Sequence, residues 1–215
     1  MTVDQPMKAL GDHGIADVSA ALARHVPDTA ASRESIRNAA VSMILSDMPG
    51  VGLSALFIQR AQHPDDPWSG QMAFPGGRFE PYDRTLVRAA MRETREEVGL
   101  SLSQDMLLGR LSDVSGGRLS LHRLAVSPFV FYSPEIPDLR PNYEVADTVW
   151  VPLSFLGDTS NVQPYVFPLD PEKREFPAWH YEGYTIWGLT YRIIGNFLRL
   201  FSVSIPGEPQ VTLVE

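Results

Sequence analysis

Three glutamates, Glu93, Glu96 and Glu97, crowd the end of a stretch that reads as a helix, directly before Gly99. At about 3.6 residues per turn they fall on one flank within roughly a turn. Like charges four residues apart cost about 0.2–0.5 kcal/mol per pair. Acids in a last helical turn lose a further ~0.3–1 kcal/mol against the helix dipole. Arg92 can reach Glu96, but with the cation on the N-terminal side, the weaker orientation. A charged helical face is usually no more than a solvated one. Here the placement runs against local preference, and such conflicts gather at functional sites. A divalent cation would turn the repulsion into a set of ligands. Carboxylate oxygens suit Mg²⁺ or Mn²⁺, which complete their shells with water and substrate phosphates.

The segment ahead of the helix bears on the same chemistry. Gly76 and Gly77 follow a short strand, "QMAF", and let main-chain groups approach an ion or a phosphate closely. Alone, two glycines would be an ordinary turn; these lie one loop and one helix ahead of the carboxylates.

The elements that must position these residues can be read along the chain. A short helix over 16–25 is stopped by Pro27. Residues 39–45 and 53–60 read as strands of a hairpin around "DMPGVG". Residues 62–70 form a loop. A helix runs from about Asp83 to Val98, with Leu86, Ala89, Ala90, Thr94 and Val98 on one apolar face and Gly99 as terminator. Strands follow near 107–114 and 121–132, joined through Gly116 and Gly117. Residues 148–156 give a strand and a short helix, and aromatic-rich 176–187 a hairpin. A last amphipathic helix turns Leu189, Ile193, Ile194, Phe197, Leu198 and Phe201 to one side. The mixture predicts an α/β or α+β sandwich with helices on both sides of a sheet. Residues 1–38 form an N-terminal arm, 39–204 the domain and 205–215 a tail.

Composition bounds the rest. The 215 residues are 44% apolar, enough for one domain with a real core, and carry a net charge of −8. That balance argues against nucleic acid or an anionic membrane as main partner, yet allows a phosphorylated substrate whose charge a metal offsets. Cysteine is absent, which excludes disulfides, thiolate metal sites and a cysteine nucleophile, and fits a cytoplasmic location. No apolar leader opens the chain, and Arg192, Asn196 and Arg199 interrupt the only late apolar run that approaches a membrane span. No repeat is visible.

Residues 77–100 resemble a Nudix box, G-x5-E-x7-R-E-U-x-E-E-x-G-U, with Arg92, Glu93, Glu96, Glu97, Gly99 and Leu100 matching its second half. Three departures stand out: Asp83 occupies the first acidic position, the interval to Arg92 is one residue longer, and Thr94 replaces an aliphatic residue. The longer interval, "LFIQR", "SGQMAFPGG" and "EGYTIWGLTYRII" resemble the coenzyme A pyrophosphatase branch. The likeness covers about 39–200.

That resemblance implies a Nudix-type α/β/α sandwich with a mixed sheet between helices. It implies a pyrophosphohydrolase that cleaves a nucleoside diphosphate linked to a moiety X by attack of water. Glu93, Glu96 and Glu97 are the metal ligands it implies, with Glu93 a ligand or a base. Arg92 orients the glutamates, Gly76 or Gly77 offers a carbonyl, Arg60 reaches a phosphate, and Asp83 fixes the loop or caps the helix. Glu144, His122 and His180 are base candidates, and Trp68, Phe74, Tyr181 and Trp187 candidates to stack a base. Where the branch carries basic residues, this chain has Asp65 and Asp66, which would repel a 3′-phosphate. ADP-ribose, nucleotide sugars and dinucleoside polyphosphates therefore compete with coenzyme A. A non-hydrolysing nucleotide-binding module and a structural protein built on the C-terminal helix are alternatives of other classes. A homodimer through the sheet edge or that helix is left open.

Overall fold

A computed structural model describes residues 10–29, 37–63, 68–115, 124–168, 170 and 172–207. In chain order the elements are α1 (Ile15–Arg24), β1 (Arg37–Met48), β2 (Gly52–Arg60), β3 (Met72–Ala73), β4 (Gly76–Arg78) and α2 (Leu86–Val98). There follow β5 (Leu107–Arg110), β6 (Val114–Ser115), β7 (Leu124–Tyr132), β8 (Val145–Pro152) and α3 (Leu153–Gly157). The last are β9 (Val162–Val166), β10 (Glu175–Tyr181), β11 (Tyr184–Ile186) and α4 (Gly188–Arg199).

The larger sheet has eight strands, with the path β3-β2-β1-β7-β5 and with β4, β6 and β8 paired at its sides. β1 and β7 run parallel from Arg37↔Leu124 to Leu45↔Tyr132; the other pairings are antiparallel, so the sheet is mixed. Alternation along β1 divides the core. Ala39, Met43 and Leu45 join one apolar cluster with Val18 and Leu22 of α1 and Ile193, Ile194, Phe197 and Leu198 of α4. Ala40 and Ile44 face the other way, onto Ala89 and Ala90 of α2. Side chains of a strand point alternately to the two faces, so helices cover both and an α/β/α sandwich results. The smaller sheet, β11-β10-β9, carries Pro164 on its edge strand opposite Pro177.

The helix and hairpin expectations are met with shifted ends. Helix α2 begins at Leu86 rather than at Asp83. Thr85 is its N-cap, with Oγ1 accepting from the Arg88 N–H at 3.4 Å, while Pro81–Asp83 make a separate 3₁₀ turn. Asp83 therefore does not cap this helix. Helix α1 buries Val18, Ala21 and Leu22, and Val18 and Leu22 share the cluster that includes Ile205. Asp65, Asp66, His122 and the Gly116-Gly117 link lie outside the described residues. Among those described, no helix is long and apolar enough to cross a membrane.

Candidate active site

β1 fixes the floor of the site. β4 pairs with it antiparallel, Val41↔Gly76 and Ala40↔Gly77. Gly76 has φ +153, and any Cβ there would run into the Ala40 carbonyl and Val41. Glycine is required at this position by both conformation and space. A Cβ on Gly77 would occupy the room taken by the Glu93 carboxylate. The glycine pair thus brings bare backbone against the acidic helix.

Helix α2 supplies the carboxylates. Glu97 is 3% exposed, and its Oε2 accepts a hydrogen bond of 2.8 Å from the Gly76 N–H. Burial pushes its carboxyl up to about 8; Gly76 opposes the rise, Glu93 adds to it, Arg60 opposes it, and Glu144 adds to it. Burial likewise raises Glu93, against the pull of Arg92 and with the push of Glu96 and Glu144. Glu144 thus acts electrostatically on the same pair of acids. Arg60 acts on Glu97 from the end of β2, where the register against β8 shifts.

Arg92 organises this end of the helix. Its Nε and Nη2 donate to Asp83 at 2.7 and 3.0 Å, a bidentate pair with an almost fully buried carboxylate. Nη1 lies 2.8 Å from Glu93 and 3.1 Å from Glu96, and Nη2 also donates to the Arg78 carbonyl. Asp83 accepts from the Glu80 N–H as well, and Arg92 holds its carboxyl below the usual range. The acidic residue of the first position is an anchor for Arg92. Thr94, in the aliphatic position, sits fully buried with Oγ1 2.8 Å from both the Ala90 carbonyl and Ser42 Oγ of β1. A hydroxyl is tolerated there because β1 offers another.

The helix end itself is closed by a later loop. Gly99 takes φ +73 and donates to the Arg95 carbonyl. The Arg140 and Asn142 N–H groups donate to the Val98 and Glu97 carbonyls at 2.7 and 2.8 Å. Carbonyls that a helix leaves orphaned are satisfied from the 140–142 segment, two residues ahead of Glu144. Asn142 Oδ1 accepts from the Glu144 N–H at 2.8 Å.

The stacking and histidine candidates divide. Phe74 is 2% exposed, packed on Phe57 at 4.7 Å in the core, and has no face for a ligand. Tyr181 meets Phe155 edge-on, and Trp68 stands at the surface. Trp187 is half-buried among Tyr165, Phe167 and Phe176. His180 belongs to the smaller sheet, where Nδ1 lies 3.1 Å from Thr185 Oγ1.

A hard divalent cation fits the chemistry of this donor set. The donors are carboxylates whose charged forms are disfavoured by burial and by one another, a penalty that a cation reverses. Among the described residues no three acidic or histidine side chains already converge as a cage. Their oxygens are engaged by Arg92 and the Gly76 N–H instead.

Comparison with known proteins agrees with the geometry. A family model described as "NUDIX domain" matches residues 36–178. The human mitochondrial coenzyme A diphosphatase NUDT8 is 32% identical over 188 residues, which cover 86% of this chain and 77% of that protein. An uncharacterized Nudix hydrolase, NudL, of Salmonella paratyphi B is 32% identical over 175 residues, 80% of this chain and 85% of its own. Among solved structures, a MutT/nudix family protein from Enterococcus faecalis superposes with a TM-score of 0.54 at 18% identity, covering 88% of this chain and 70% of that one. With the carboxylate helix, the glycine pair and two-thirds of the chain in register with the family, this protein belongs to the Nudix family and is a Nudix hydrolase, a pyrophosphohydrolase.

Proposed function

We propose that this hydrolase cleaves the diphosphate of coenzyme A or its derivatives with the help of Mg²⁺ or Mn²⁺. The observation that carries the reading is the buried Glu97, held by the Gly76 N–H with Glu93 and Glu144 close enough to raise its carboxyl. The relatedness to a protein named as a coenzyme A diphosphatase supports the substrate class. Glu93, Glu96 and Glu97 would hold the cation, which supplies charge neutralisation for the diphosphate and a more acidic water. Asp83 clamps the Arg92 guanidinium, and Arg92 steadies Glu93 and Glu96 by charge-assisted hydrogen bonds. The Gly76 N–H orients Glu97. Glu144, on a loop braced against the helix end, would take the proton of the attacking water. Arg60 would bind a phosphate oxygen. We take residues 39–204 as the catalytic unit, with α1 of the arm packed against it, acting in the cytoplasm.

Asp65 and Asp66 favour a second reading, ADP-ribose or a nucleotide sugar, because acids there oppose a 3′-phosphate. Product analysis separates the two. Coenzyme A would yield 3′,5′-ADP and a phosphopantetheine; ADP-ribose would yield AMP and ribose phosphate. In a panel with Mg²⁺ and Mn²⁺, Glu97→Gln is expected to lower turnover by about a hundredfold or more while the fold survives. Equal turnover in the two proteins would remove Glu97 from the site. Tight nucleotide binding without turnover at any cation concentration would favour a binding module instead.

A further inference from the structure

Tyr82 has no part in the chemistry above, and its surroundings are unusual for a large ring. It is 68% exposed, and among the described residues its hydroxyl has no hydrogen-bond partner. Neither core packing nor a polar anchor accounts for where it stands. What it meets is Arg92, whose Cζ lies over the ring, 5.4 Å from its centre. That is within the ~6 Å over which an aromatic face attracts a cation.

The contact completes an enclosure. A guanidinium has five N–H donors, all in its plane. In Arg92, Nε donates to Asp83, and Nη2 serves both Asp83 and the Arg78 carbonyl. Nη1 lies 2.8 Å from Glu93 and 3.1 Å from Glu96. Every donor in the plane is engaged, so the remaining approach is across the faces, and Tyr82 covers one of them.

One short turn makes both grips. Pro81–Asp83 form a 3₁₀ turn with Pro81 at its first position, where the ring fixes φ. The Asp83 N–H donates to the Glu80 carbonyl at 2.9 Å, and the Glu80 N–H to Asp83 Oδ2 at 2.8 Å. Neighbouring residues of this turn therefore hold Arg92 at its edge, through Asp83, and at its face, through Tyr82.

Glu93 and Glu96 must give up contacts with Arg92 to serve as cation ligands. A guanidinium free to follow them would compete for the same oxygens. We infer that Tyr82 is a positioning residue of the reaction, which with Asp83 keeps Arg92 in place while Glu93 and Glu96 turn to a divalent cation. The ring is what matters, since the hydroxyl is unengaged. The inference rests on the cation reading of these glutamates, and one arm of its test needs no cation.

Tyr82→Leu is compared with Tyr82→Phe, which keeps the ring. The residue is exposed, so both variants should melt within a few degrees of wild type. In metal-free protein with isotope-labelled arginine, the Arg92 Nε–H should exchange with water about twofold to fivefold faster in Tyr82→Leu, and at the wild-type rate in Tyr82→Phe. In a Mn²⁺ titration followed by electron paramagnetic resonance, Tyr82→Leu should bind the ion weaker by a similar factor, and Tyr82→Phe should restore the affinity. With Mg²⁺ and whichever of coenzyme A and ADP-ribose the wild type cleaves, Tyr82→Leu should lower kcat about twofold to fivefold and leave KM within about twofold. Unchanged Nε–H exchange in Tyr82→Leu, or a Tyr82→Phe variant as impaired as Tyr82→Leu, would overturn the assignment. So would a raised KM at constant kcat, the mark of a ring that binds substrate. A wild type that takes no Mn²⁺ and cleaves neither substrate sinks the proposed function instead, and the exchange rates still decide whether Tyr82 holds Arg92.

Discussion

Helices α2 and α4 are of similar length, 13 and 12 residues, and end in opposite ways. Helix α4 has Arg199 in its last turn, where a cation meets the negative end of the dipole, and buries Ile193, Ile194, Phe197 and Leu198. Helix α2 brings Glu93, Glu96 and Glu97 to its end, with Glu97 buried. The apolar period of α4 and the cation in its last turn both agree with its role in the core. In α2 the apolar face obeys the same rules through Ala89, Ala90 and Val98, and the opposite flank breaks them. The proposed cation site at that flank would account for the difference, because conflicts with local preference gather at functional sites.

The comparison can be broken at either helix. Phe197→Ala should cost about 3–5 kcal/mol, since Phe197 is fully buried, and activity per folded molecule should persist. Chemical denaturation alongside turnover checks both halves. Asp83→Ala should cost about 1–3 kcal/mol and lower turnover by roughly tenfold to a hundredfold, as Arg92 loses its bidentate anchor. Loss of activity without loss of stability would show that the anchor matters only to catalysis. Gly99→Ala, at φ +73 and with a new Cβ 3.0 Å from that of Arg140, should cost about 1 kcal/mol and leave kcat alone.

The two acids also predict opposite pH slopes. The folded pKa of Asp83 is depressed, so its stabilisation is present above the unfolded value of 3.8 and fades as pH falls through the folded one. The folded pKa of Glu97 is raised to about 8 from 4.5. Its neutral form is the stable one, so metal-free protein should lose stability as pH rises from about 4.5 to 8. Glu97→Gln should flatten that slope in urea titrations across the window.

Much of this was legible in the chain. The Arg92, Glu93, Glu96, Glu97 and Gly99 spacing marks the helix and its acidic flank, because i, i+3 and i, i+4 neighbours share a face. The period of α4 is equally plain. What local pattern does not carry is pairing between distant segments. The parallel union of β1 with β7 joins residues more than 80 apart, and nothing in either strand names its partner. The bracing of the α2 carbonyls by Arg140 and Asn142 is of the same kind, so Glu144 could be suspected from sequence but not positioned. Phe74 looks like a binding aromatic beside two glycines, yet packing on Phe57 takes it into the core. Thr85, a hydroxyl residue directly before Leu86, carries the N-cap signal, and Asp83 two residues earlier does not. Pro164 and Pro177 hid the third strand of the smaller sheet, since proline weakens any strand signal.

The most direct test of the central claim is thermal unfolding of metal-free wild type and Glu97→Gln at pH 8, each with and without saturating Mn²⁺. Unfavourable charge built for a cation predicts that the wild type gains roughly 5–10 °C at a hundredfold excess over Kd. It also predicts that Glu97→Gln starts higher without the ion and gains far less from it. A wild type indifferent to Mn²⁺ and Mg²⁺, with a variant no more stable than its parent, would contradict the account.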